Sequence, residues 1–184
     1  MSSYNFTLIV EGADLQAEDA QDALFGAGCD DATFGAVDGI QYAEFDREAG
    51  SYGQALTSAI AAIESAIKGA RVLHVEPDEL VTISEIAERV DRTRESVRLL
   101  ISGERGPGDF PAPASHVRTR NRLWRWPDVQ RWFVTRYEDE FGARLVEPNE
   151  DPRITAILNA LLQRRRYESE VDQAERSRLE EALG

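Results

Sequence analysis

Apolar residues recur with period two near the start of the chain, where Tyr4, Phe6, Leu8 and Val10 fall on one face of residues 4–11 and predict a half-buried strand. The period then changes. From Asp14 to about Gly26, Leu15, Ala20, Ala23, Leu24 and Ala27 share one side of a helix, with Glu18, Asp19 and Asp22 on the other. Residues 31–37 and 40–46 read as two short strands joined by Asp38-Gly39, a dipeptide suited to a two-residue hairpin turn. A second helix is predicted from Ser51 to Lys68, with Leu56, Ala59, Ile60, Ile63 and Ile67 as its apolar stripe and Gly69 as its stop. Residues 71–76 supply a last strand before Pro77. The predicted order β-α-β-β-α-β resembles a ferredoxin-like sandwich, here over residues 1–78. That architecture hosts many functions, so on it alone this region is expected only to sense a ligand or to oligomerise.

A different pattern follows over residues 79–137. Thr82-Ile83-Ser84-Glu85 matches a capping box, and the helix it opens buries Ile83, Ile86 and Ala87 before stopping near Val90-Asp91. A second short helix opens at Arg92-Thr93, buries Val97, Leu100 and Ile101, and ends at Gly103. Two short helices with a tight turn, the second rich in arginine, form a helix-turn-helix pattern. On a helical wheel Glu95, Arg98 and Ser102 point away from the buried stripe, with Arg94 and Ser96 on its flanks. Downstream, residues 115–122 alternate arginine with small polar residues, which suits a hairpin touching phosphates or a minor groove. Trp124 and Trp126 read as alternating on a strand, and Pro127 opens a helix burying Val129, Trp132 and Phe133.

The runs 81–89 (VTISEIAER) and 93–100 (TRESVRLL), followed by Phe110-Pro111-Ala112-Pro113 and by 122–129 (RLWRWPDV), resemble the winged helix-turn-helix of excisionase-like and MerR-like DNA-binding domains. The resemblance spans residues 81–137 and implies a recognition helix, a basic wing and a covering helix. The implied DNA contacts are Arg92, Thr93, Arg94, Glu95, Ser96, Arg98 and Ser102, with Arg118, Arg120 and Arg122 in the wing. The long stretch from Gly103 to Pro113 departs from the pattern and could displace the wing.

After Tyr137 the chain is acidic and interrupted by Gly142 and Pro148. A helix is expected from Asp151-Pro152, with Ile154, Ile157, Leu158, Leu161 and Leu162 on a stripe that must pack on the helix-turn-helix module or on another subunit. Arg164, Arg165 and Arg166 then read either as charge beside DNA or as cations favoured at a helix C-terminus. Residues 168–184 read as a charged, weakly amphipathic helix, so 138–184 forms a linker and C-terminal helical segment.

The net charge of −13 changes the picture only in part. Residues 1–80 hold 15 acids and 3 bases, residues 81–137 hold 7 and 11, and residues 138–184 hold 12 and 7. Only the middle segment is cationic, and phosphate contact needs a local cationic surface rather than a cationic protein. No run of apolar residues is long enough to span a membrane, the N-terminus reads as no secretion signal, and the lone Cys29 cannot form an internal disulfide, so a cytoplasmic protein is expected. Cys29 has only Asp30 and Asp31 beside it in sequence, and His74 and His116 read as structural or loop residues. No catalytic triad, paired-carboxylate motif, phosphate-cradling loop or metal-ligand cluster is present, so neither an enzyme nor a cofactor or metal site is expected. The expected function is a sequence-specific regulator of transcription, a homodimer on double-stranded DNA. The alternatives are an antitoxin-like protein, binding a protein partner through its acidic first domain or C-terminal helix, and a DNA-bending architectural factor.

Overall fold

The computed structural model describes residues 1–142, 145 and 151–183. Its elements run β1 (Ser2–Glu11), α1 (Glu18–Gly26), β2 (Ala32–Val37), β3 (Ile40–Ala49), α2 (Tyr52–Ala66), β4 (Arg71–Glu76), β5 (Leu80–Val81), α3 (Ile83–Arg89), α4 (Arg94–Ser102), β6 (Trp124–Arg125), α5 (Trp126–Arg136), α6 (Glu138–Phe141), α7 (Pro152–Tyr167) and α8 (Gln173–Leu183). The chain is mixed α+β and divides into two units. The first joins Met1–Pro77 to Ile154–Gly184, and the second is Asp78–Arg153.

In the first unit four antiparallel strands lie in the order β2-β3-β1-β4. Each of the links β1-α1-β2 and β3-α2-β4 therefore joins parallel strands that have one strand between them. The period-two residues of β1, Tyr4, Phe6, Leu8 and Val10, are all buried, and they share a core with Leu24 of α1 and Leu56, Ile60 and Ile63 of α2. The β2–β3 turn is Asp38-Gly39 with φ of 52° and 82°, the left-handed pair that a two-residue hairpin requires. Beside it the Tyr42 ring covers Gly35, its cross-strand partner, and leaves no room for a β-carbon.

Among the boundaries that differ from expectation, two have a clear physical cause. Helix α1 begins at Glu18, because the Asp14 carboxylate accepts from the Gln16 N–H (3.0 Å) and holds a turn that competes with helix. Strand β3 runs on to Ala49 and so carries Arg47 to the covered side, in step with Phe45 and Ala49. Arg47 is buried, and its guanidinium forks onto Asp31 (2.8 Å twice) while donating to the Gly28 carbonyl (2.6 Å) and the Ser58 hydroxyl (3.3 Å). Thus Cys29, which has no cation near it in sequence, has one beside it in space. Burial still pushes the Cys29 thiol up, and Arg47 only partly offsets that.

The stripe on α7, expected on the helix-turn-helix pattern or on another subunit, packs within the first unit. Leu162 is buried there with Ile154 and Leu158 against it, while Ile157 and Leu161 stay exposed. The three arginines at its end meet carboxylates: Arg164 meets Glu180, Arg165 meets Glu64, and Arg166 meets Glu11. Along β4, an edge strand, side chains stand where a fifth strand would. Asn159 is buried, accepts from the Val75 N–H (2.8 Å) and donates to the Val75 carbonyl (2.9 Å). Glu64 accepts from the Val72 N–H (2.9 Å), and Arg165 donates to the Val72 carbonyl (2.7 Å). These three side chains blunt that edge by pairing its main chain.

The second unit is organised on aromatic rings. Phe133 of α5 is fully buried with Trp132, Tyr137, Phe141 and Phe110 around it at centroid distances of 5.0–6.2 Å. Trp126 does not alternate with Trp124 on a strand. It is the first residue of α5, because Pro127 fits only the first helical turn, and its N–H goes to the Glu79 carbonyl (2.6 Å). The interruption expected at Pro148 lies outside the described residues. Among the described residues no helix is long and apolar enough to cross a membrane, and no group of His, Cys, Asp and Glu could hold a metal ion.

Candidate nucleic-acid interface

The start of α3 is fixed by the expected capping box: the Thr82 hydroxyl accepts from the Glu85 N–H (3.3 Å), and Glu85 accepts from the Thr82 N–H (2.6 Å). Its end is as well defined. The Arg92 N–H reaches back to the Ala87 carbonyl (2.9 Å) and the Asp91 N–H to Glu88 (3.1 Å), a Schellman arrangement. Asp91 occupies its left-handed position (φ 50°), the place glycine usually takes. The turn is therefore only a few residues long, and Thr93 at once caps α4 by accepting from the Ser96 N–H (3.1 Å). Val97 and Leu100 anchor α4 to α3 and α5, and Gly103 (φ 73°) ends it.

The predicted contacts fall into three groups. Arg94, on the outer side of α4, is exposed and has no carboxylate partner among the described residues. Arg98 is exposed but engaged, forking onto Glu95 (2.9 and 2.7 Å) with Glu104 at 3.6 Å. The Glu95 hydrogen bonds raise the Arg98 guanidinium above its usual range, and the Arg98 hydrogen bonds hold the Glu95 carboxyl below its own. A base or phosphate that takes Arg98 must displace Glu95, and that exchange occurs in open solvent. Ser102 back-bonds to the Leu99 carbonyl (3.2 Å), and Ser96 is half-buried.

Arg92 is held differently. It donates to Glu140 (2.8 Å) and lies over the rings of Tyr137, Phe141 and Phe133 at 4.8, 5.2 and 5.8 Å, with 20% of its side chain exposed. In this structure the residue works as a latch between the turn and the aromatic core. Beside it is a shallow hollow of ≈ 470 Å³, lined in part by Thr93, Ser96, Arg105 and Tyr137.

The segment read as a hairpin wing is mostly loop. Only Ser115 and Leu123 bridge, and residues 116–122 are closed by the Thr119 N–H on the His116 carbonyl (2.9 Å) and by Asn121 on the Thr119 hydroxyl (3.2 Å). A run of arginine and small polar residues has no apolar face to bury, and His116 at φ 53° turns the chain out of the ladder. Arg118, Arg120 and Arg122 are exposed on this loop without carboxylate partners among the described residues. The long stretch before it is tied down. Gly106 fits under Leu100 and Tyr137, where a β-carbon would clash at 2.6–2.8 Å. Trp132 and Trp124 donate their indole N–H groups to the Gly108 and Pro111 carbonyls (3.0 and 3.1 Å).

Two further exposed arginines, Arg105 and Arg125, share the lack of a carboxylate partner among the described residues. Arg125 was legible, since it follows the buried Trp124 on β6, where successive side chains take opposite faces. Comparison with known proteins finds no matching family model, no similar curated protein and no similar solved structure.

Proposed function

We propose that this chain is a sequence-specific DNA-binding regulator of transcription, whose second unit is a winged helix-turn-helix and whose first is a ferredoxin-like oligomerisation or sensing unit. The observation that carries the reading is one small unit in which two capped helices meet through a tight turn, and in which Arg94, Arg118, Arg120, Arg122, Arg105 and Arg125 are exposed without carboxylate partners among the described residues. Helix α4 is the reading helix, with Arg94 and Arg98 aimed at base edges and the loop arginines at phosphates. The strand order β2-β3-β1-β4 with a helix in each crossover supports the ferredoxin-like assignment. A helix as short as α4 offers few base contacts, so two copies on a two-fold site are needed for affinity.

Fluorescence anisotropy on the DNA upstream of the gene and on a scrambled duplex, over a salt series, tests this. Preference for the upstream duplex with a steep salt dependence is expected. Equal binding to both duplexes would replace a regulator by an architectural factor, and no binding near ~150 mM salt would remove the DNA reading altogether.

Two substitutions separate the roles. Arg98→Ala is expected to weaken binding to the preferred duplex by roughly 5- to 150-fold and to relax its sequence preference. Unchanged discrimination would take Arg98 out of base reading. Arg120→Ala is expected to weaken both duplexes alike and to lower the salt slope by about one. A loss confined to one duplex would contradict a phosphate role.

A further inference from the structure

The two edges of the four-stranded sheet are treated differently, and the difference identifies an interface. Edge β4 has its outward main-chain groups taken up by Asn159, Glu64 and Arg165. Among the described residues, edge β2 has no such cover. The Asp46 N–H bonds to the Asp31 carbonyl (3.0 Å), so the 31–46 pair and, by alternation, pairs 33–44, 35–42 and 37–40 are the hydrogen-bonded pairs of the β2–β3 ladder. The main-chain groups of Ala32, Phe34 and Ala36 therefore point away from the sheet. The Ala32 N–H is used locally, by the Cys29 carbonyl (3.3 Å). The N–H and C=O of Phe34 and of Ala36 take no hydrogen bond among the described residues.

Nothing in β2 guards this edge. The strand reads Ala-Thr-Phe-Gly-Ala-Val, without a charge or a proline, the devices that usually keep an open edge single. Val37, at its end, leaves 60% of its surface in solvent. We propose that β2 pairs with β2 of a second copy, antiparallel about a two-fold axis at Gly35, to make one continuous eight-stranded sheet. In that register Phe34 of each copy faces Ala36 of the other, and the N–H and C=O of both residues on each strand are satisfied by four intermolecular hydrogen bonds. Shifting the axis to Phe34 would pair the Ala32 carbonyl in place of that of Ala36, but would set the Ala36 carbonyl opposite the Ala32 N–H, which is already occupied. On the open side of the sheet Thr33 of one copy faces Val37 of the other and covers it. Charge disfavours the face-to-face alternative. The register puts Glu44, Asp46, Glu48 and Glu76 on that open face, and two such faces would repel.

The pairing goes beyond the DNA reading and does not depend on it, so it is tested without DNA. Sedimentation equilibrium of the full chain at micromolar concentration is expected to give twice the chain mass. Ala36→Pro, which removes an outward N–H, and Val37→Lys, which sets a charge on the seam, are both expected to give the single-chain mass. Val37→Lys alters an exposed side chain and keeps the test valid should the proline variant unfold. Ile157→Asp, on the exposed face of α7, is expected to stay dimeric. The register is read directly from a Thr33→Cys, Val37→Cys double variant. Residues 33 and 37 are too far apart along one extended strand to bridge within a chain. Oxidation is expected to give a covalent dimer from the double variant and from neither single one. A monomeric wild type, a Val37→Lys variant that stays dimeric, dissociation by Ile157→Asp, or no covalent dimer on oxidation would each overturn the proposal.

Discussion

Phe133→Ala is expected to destabilise the second unit by about 3–5 kcal/mol, the range for emptying a fully buried phenylalanine site. The loss is placed at the high end by what surrounds the ring. Trp132, Tyr137, Phe141 and Phe110 all meet it, and neighbours this rigid cannot collapse into the space. The Arg92 latch also rests partly on it. The measurement is unusually clean because all three tryptophans, Trp124, Trp126 and Trp132, belong to this unit. Intrinsic tryptophan fluorescence in urea therefore follows the second unit alone. Its midpoint is expected to fall sharply in the variant, and the proposed DNA binding is expected to fail in proportion to the unfolded fraction. An unfolding free energy within a few tenths of a kcal/mol of wild type would mean that the aromatic cluster does not hold the unit together.

The second large effect is on the other unit. Asn159→Ala is expected to cost about 2–6 kcal/mol, since it strands the Val75 N–H and C=O, each worth about 1–3 kcal/mol when buried without a partner. Far-UV circular dichroism should show the first unit melting earlier, with the tryptophan transition unmoved. Asn159→Asp adds a control with a definite sign. A neutral carboxylic acid offers one donor and one acceptor, as the amide does, whereas a carboxylate facing the Val75 carbonyl is repelled. Burial and that carbonyl both raise the folded-state pKa of such an acid above the unfolded value of about 4. Relative to wild type, the variant is then best tolerated below that value and loses stability as pH rises through the folded pKa. A variant penalty independent of pH would show that the side chain is not paired to Val75 as described.

Much of this was legible in the sequence where a local rule and a periodic pattern agreed. The capping box at Thr82, the Asp38-Gly39 turn and the alternation in β1 each name a short-range physical cause and appear where those causes put them. The exposed arginines of residues 118–122 were legible for the same reason, because nothing apolar accompanies them. What escaped was decided by partners distant in sequence. Arg47 and Asn159 are polar residues on inward-facing positions, made tenable by partners that include Asp31 and Val75, 16 and 84 residues away. The Glu95–Arg98 pair was within reach of sequence reasoning, being three apart on a helix, and the base-reading role proposed for Arg98 requires that it first release Glu95. Arg92, expected as a DNA contact at the head of α4, lies after the Schellman turn over the rings of Phe133, Tyr137 and Phe141, contacts that no sequence pattern announces.

The side chains that blunt β4 have a consequence for the newly made chain. Asn159 follows Val75 by 84 residues, with the second unit encoded between them. At about 5–20 residues per second a ribosome delivers Asn159 roughly 4–17 seconds after Val75. Through that interval the nascent sheet carries two raw edges instead of one, while the whole of the second unit emerges. Of the two units, the one begun first is thus the last to be finished, and chaperone occupancy on stalled ribosomes should peak between those two points in synthesis.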